Sequence, residues 1–127
     1  MTTNLNQLGS DDVNTGTAPY FDAKRSTDTW LHDLNSEGSL RAEAIYELNA
    51  LARHGVLFAL SRTTMLAPTL GPTQVEQMVE QCTQQSLLAI LDGLPTFRSQ
   101  GKFTTWAYKF AVKSALVAAR REGWRLK

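Results

Sequence analysis

Phe97-Arg-Ser-Gln-Gly-Lys-Phe-Thr-Thr-Trp-Ala-Tyr-Lys-Phe-Ala-Val-Lys-Ser-Ala-Leu-Val-Ala-Ala-Arg-Arg121 is the stretch that decides how this chain folds. Gly101 and the polar pair Ser99-Gln100 mark a loop. Thr104 or Thr105 is placed to cap a helix, with Phe103 folding back on Tyr108 as a hydrophobic staple. Nothing then breaks a helix before Gly123, which gives a rod about 27 Å long at about 1.5 Å per residue. At about 100° per residue, Lys109, Lys113 and Arg120 fall within an arc of roughly 40°. Trp106, Phe110 and Val117 lie on the neighbouring arc, continued by Ala107, Ala111, Ser114 and Ala118. Tyr108, Val112, Ala115 and Ala119 form a second smooth face behind. Such a helix is packed on most sides and shows solvent mainly a cationic seam. With no acidic residue from Gln100 to Arg121, nothing local offsets those charges, and an external anion is their natural partner.

Working outward, the charge of the whole chain points to the same place. The net charge is only +1, yet residues 1–50 carry eight acidic against three basic groups, a balance of −5. Residues 51–96 stand at −1, and residues 97–127 hold eight basic groups against Glu122 alone, a balance of +7. A polarity of this kind hints at nucleic-acid contact. At 127 residues the chain is long enough for one ordinary core. Its hydrophobic fraction of 43% is that of a soluble globular protein rather than a disordered one. No apolar run approaches the roughly 20 residues of a membrane span, and no secretory signal opens the chain. A single cysteine, Cys82, rules out an internal disulfide framework and fits a cytoplasmic location.

The remaining segments read as helices. Residues 1–25, rich in Thr, Asn, Asp and Gly, are expected to form a flexible arm in which only Pro19-Tyr20-Phe21 docks. Ser26 or Thr27 caps a short helix carrying Trp30, Leu31 and Leu34, ended by Ser36-Glu-Gly38. Ser39 starts a longer helix to about Arg62, with Ala44, Leu48, Leu51, Gly55 and Phe58 at helical spacing and Ile45, Ala52 and Ala59 widening the stripe. Thr63 to Pro72 is expected to be a loop. The capping box Thr73-x-x-Glu76 then starts a helix to about Asp92, closed by Gly93 and Pro95. Val75, Val79, Cys82 and Ser86 line one side of it, and Leu87, Ile90, Leu91 and Leu94 take over in its second half. Gln77, Glu80, Gln81, Gln84 and Gln85 remain outside, as plain solvated surface or as a docking face. No stretch reads as a strand. The expected fold is all-α, a compact bundle of three to four helices behind a flexible N-terminal arm.

Catalytic patterns are missing from the sequence. It holds no paired Cys/His ligands, no Gly-rich phosphate loop and no GxSxG-type nucleophile. Neither His32 nor His54 has a partner at metal-ligand spacing, and Cys82 has no basic neighbour to activate its thiol. The expectation is no enzyme activity, no cofactor and no metal.

The run Thr96 to Ala111 resembles the second conserved region of bacterial sigma factors, above all the extracytoplasmic-function (ECF) group. There a Phe-Arg-Gly-x-x-x-Phe-x-Thr-Trp-Leu-Tyr pattern bridges two helices, and here Phe97, Arg98, Phe103, Thr105, Trp106, Tyr108 and the basic Lys109 match it. Of the acidic stretch on the preceding helix, Glu80 and Gln84 match. The resemblance implies a sigma region 2-like domain over residues 26–127, without a region 4-like helix-turn-helix domain, acting in transcription initiation. It implies a polymerase-binding face of Gln77, Glu80, Gln81, Gln84, Gln85 and Leu88 against the clamp helices of the largest RNA polymerase subunit. It further implies that the melted minus-ten promoter strand is held by Arg98, Ser99, Gln100, Lys102, Phe103, Thr105, Trp106, Tyr108, Lys109, Lys113 and Arg120. Ring faces stack on unpaired bases while cations track phosphates, so the residue chemistry agrees. The polar loop beside Phe103 would form a pocket for an extruded base. Trp106 also has a reading as a wedge in the core. An anti-sigma protein is a further expected partner. The rival expectation is a sigma-like interaction module that binds polymerase or an anti-sigma protein without promoter recognition.

Overall fold

The computed structural model describes residues 25–65, 71–98 and 100–126. Residues 1–24 of the expected 1–25 arm, with Pro19-Tyr20-Phe21, lie outside the described residues. Four α-helices account for most of the rest: α1 (Thr27–Leu34), α2 (Gly38–Ser61), α3 (Pro72–Gly93) and α4 (Phe103–Arg121). A 3-10 turn at Leu94–Thr96 follows α3. The all-α expectation holds. α1 starts as its sequence dictates, with the Ser26 hydroxyl accepting from the Thr29 amide at 3.1 Å. α3 starts earlier than the Thr73-x-x-Glu76 box placed it. Pro72 occupies the first turn, and the Gly71 amide donates to the Gln74 side-chain oxygen at 2.6 Å.

By their internal contacts the residues fall into two compact units: the chain up to Glu47 with Phe97–Trp106, and Leu48–Thr96 with the chain from Ala107 onward. The first unit is built on rings. Trp30 and Phe103 are fully buried, with centroids 5.3 Å apart. Phe97 lies 5.8 Å from Phe103 and 5.2 Å from Trp106, and Phe103 lies 5.7 Å from Trp106. Each such pair is worth about 0.5–1.5 kcal/mol beyond the area it buries. Phe103 therefore packs against Trp30, Phe97 and Trp106, and Trp106 takes part as the core wedge. Neither Thr104 nor Thr105 caps α4. The Phe103 amide donates instead to the Thr27 hydroxyl of α1 at 3.0 Å.

Arg25, placed by the sequence reading in the arm, is held in the same unit. Its guanidinium sits 4.9 Å over the Trp30 ring and pairs with Asp33 at 3.1 Å and Glu47 at 2.6 Å. His32 Nδ1 lies 3.0 Å from the other Asp33 oxygen. The His32 hydrogen bond, followed by Arg25, holds the Asp33 carboxyl below its ordinary range, while burial acts the other way. Folding thus lowers this pKa. The stabilisation is present above the unfolded value of about 3.9 and is lost as pH falls through the lower folded value. Asp33→Asn is expected to be less stable at neutral pH and to lose less further stability on acidification. Acid titrations of both proteins followed by circular dichroism check this.

The second unit is organised by small residues. Ala107, Ala111, Ala115 and Ala119 recur every fourth residue along α4 and are 0–2% exposed. Their smooth stripe lets α2 approach, and Gly55 is the point of closest contact, where an added Cβ would stand 2.8 Å from the Cβ of Ala111. Ala52, Val56, Ala59 and Leu60 of α2 and Met78, Val79 and Cys82 of α3 complete this core. Phe58, expected in the stripe, is instead 43% exposed beside Tyr108. Gly55→Val is expected to cost about 2 kcal/mol by overpacking, outweighing the gain of about 0.4 kcal/mol from replacing a helical glycine with a β-branched residue. Urea denaturation measures the difference.

One feature lies outside the sequence expectation. Thr63–Met65 (β1) and Trp124–Leu126 (β2) pair as a short antiparallel ribbon, Thr63 opposite Leu126 and Met65 opposite Trp124. Gly123, at φ 87°, turns the chain out of α4 into β2. Both strands are three residues long, so neither carries a period-2 pattern that local reading detects.

Candidate nucleic-acid interface

In the first unit, the loop from Phe97 and the first turn of α4 offer both exposed polar groups and ring surface. Arg98, Gln100 and Lys102 are exposed, and Thr105 and Trp106 are half-buried. Ser99 lies outside the described residues. Gly101 has φ 121°, a backbone conformation that only glycine adopts without strain, and this fixes the loop's path into α4. Phe103 is 0% exposed and presents no face to a base, which corrects its place in the expected DNA contact set. Burial against three rings outweighs exposure for so large an apolar side chain. The accessible rings here are the half-buried Phe97 and Trp106. Phe97 was not among the expected contacts, although its place in the Phe-Arg motif was the available signal.

In the second unit, α4 carries Lys109, Lys113 and Arg120, and all three are exposed. Their helical spacing puts them in one line along the rod. No ion pair to any of the three occurs among the described residues. The carboxylates that are paired go to Arg25, His32 and Arg53. Tyr108 corrects another expected contact. It is buried, its ring 6.2 Å from that of Phe58 and 6.0 Å from that of His54. Its hydroxyl approaches His54 Nδ1 at 3.4 Å, the long limit of a hydrogen bond. Tyr108 and Phe103 are therefore each held in the protein's own packing.

The expected polymerase-binding residues all lie on the exposed side of α3: Gln77, Glu80, Gln81, Gln84, Gln85 and Leu88. Leu88 is 66% exposed. Two features here escaped the sequence reading. Arg53 of α2 reaches Glu76 at 3.3 Å and Glu80 at 3.8 Å, a pairing between positions 23 and 27 residues apart that carries no local signal. A groove of about 240 Å³ also runs between Gln74, Gln77, Gln81 and Gln85 on one side and Arg121 and Glu122 on the other. Cys82 borders it, and burial pushes its thiol up, with Arg121 opposing weakly. Among the described residues no group of three or more His, Cys, Asp or Glu is placed to hold a metal ion, and no helix is long and apolar enough to cross a membrane.

Among the described residues these elements carry a line of exposed cations on α4 and an amide-rich face on α3. Residues 70–125 match the family described as Sigma-70 region 2, a span covering α3, α4 and the connection between them. The match likens this part of the chain to a sigma-70 region 2 domain. No curated protein and no solved structure matches the chain.

Proposed function

We propose that the chain is the promoter-melting domain of an ECF-type sigma factor, an adaptor that binds core RNA polymerase and the single-stranded minus-ten promoter element. The observation that carries this reading is the line of Lys109, Lys113 and Arg120, exposed and without internal carboxylate partners among the described residues. Three cations along one rod match the phosphates of an extended strand, and the half-buried rings of Phe97 and Trp106 offer faces to unpaired bases. Arg98, Gln100, Lys102 and Thr105 supply polar contacts, and the exposed side of α3 takes the polymerase. The domain catalyses nothing itself and works in the cytoplasm.

A shift assay tests the reading, using a labelled minus-ten-type oligonucleotide as single strand and as duplex. Tighter binding to the single strand, weakening steeply with salt, is the expected result. Equal or tighter binding to duplex overturns it.

Burial of Phe103 and Tyr108 removes two of the expected stacking rings, and this favours a second reading. In that reading the chain keeps the polymerase face, or binds an anti-sigma protein, without contacting promoter DNA. Capture of polymerase with no shift of either oligonucleotide selects it.

A further inference from the structure

We propose that the exposed face of α3 recognises core RNA polymerase through side-chain amides and one leucine, with almost no ionic contribution, so that this association is nearly indifferent to salt. The inference rests on the polymerase reading above and specifies the chemistry of that contact.

Gln77, Gln81, Gln84 and Leu88 fall within an arc of about 60° on α3, so they form a single stripe. All four are exposed, and Leu88 has two thirds of its surface in solvent. A leucine that exposed, preceded one turn earlier by the amides of Gln84 and Gln85, fits an apolar socket in a partner whose rim offers hydrogen-bonding groups. Each carboxamide brings both a donor and an acceptor and carries no charge. The charged groups nearby are largely occupied. Arg53 lies between Glu76 and Glu80 at 3.3 and 3.8 Å, which leaves one net negative charge where the helix sequence alone suggests two. Across the groove Arg121 and Glu122 carry opposite charges. Asp92, one turn beyond Leu88, is the remaining carboxylate of α3. The groove, about 240 Å³, has room for a partner side chain beside the stripe. Screening acts only on charges, so a contact made by amides and an apolar anchor persists as salt rises.

The test measures affinity of the full chain for bacterial core RNA polymerase at about 0.1 and 0.5 M salt. The wild type is expected to lose less than about fivefold over that range. Leu88→Ala is expected to bind about tenfold more weakly at both salts, as loss of an anchor requires. Arg53→Met keeps an apolar stem but releases Glu76 and Glu80, and its affinity is expected to become clearly more salt-dependent than that of the wild type. A wild-type complex that weakens more than about thirtyfold over the range overturns the inference and leaves the polymerase reading standing. An Arg53→Met salt profile identical to wild type also overturns the inference alone. Absence of a complex at either salt overturns both.

Discussion

Lys109→Glu combined with Lys113→Glu is expected to weaken binding to a single-stranded promoter oligonucleotide by at least about 25-fold at about 0.1 M salt. Each phosphate neutralised on a single strand contributes about 0.7 to the slope of log affinity against log salt. At about 0.1 M salt that is about fivefold per contact, and two contacts multiply to about 25-fold. Reversing the charges adds repulsion to that loss. The salt slope should become shallower by about 1.4, and the effect should be the same for every oligonucleotide sequence. Exposed side chains with no ion pair among the described residues are the reason to expect little cost in stability. Fluorescence anisotropy across a salt series, with thermal melts of the same samples, checks both points. An unchanged slope would remove the cationic line from the interface.

Trp30→Ala is expected to destabilise the protein by about 3–5 kcal/mol, a large fraction of the 5–15 kcal/mol that typical domains possess. The ring is fully buried, is the closest aromatic neighbour of Phe103 on α1, and lies beneath the Arg25 guanidinium. Its removal leaves a cavity beside a buried ion-pair network, which compounds the loss of apolar contact. Trp30→Phe keeps a ring at the site. It also removes the indole N–H, a buried donor without a partner among the described residues, so its cost should be well under half that of alanine. Chemical denaturation of the two variants gives the comparison. An alanine variant within about 1 kcal/mol of wild type would mean that the cluster does not hold the first unit together.

Much of the helical architecture was legible because helical periodicity is a local signal. The buried Leu48, Leu51 and Val79 and the exposed Lys109, Lys113 and Arg120 all follow from spacing alone, whereas Ala107, Ala111, Ala115 and Ala119, divided between two faces by that reading, are all buried. The sigma-like motif was likewise legible in Phe97, Arg98, Thr105 and Trp106, and the family match covers it. Long-range pairing was not legible. Arg25 finds Asp33 and Glu47, Arg53 finds Glu76 and Glu80, and β1 finds β2 across distances at which no periodicity operates. Nor did the pattern distinguish ring residues that bury from those that stay accessible. Phe103 and Tyr108 went inside because neighbours on other helices were there to cover them.

The hydroxyl that completes the first turn of α4 belongs to Thr27, 76 positions earlier in the chain. During synthesis on the ribosome the acceptor emerges well before the donor, and α1 is already available when Phe103 leaves the exit tunnel. A contact closed over so long a loop forms late, and so the entrance to α4 should be among the last parts of the molecule to settle. The aromatic surface nearest the proposed DNA contact would then mature only at the end of folding.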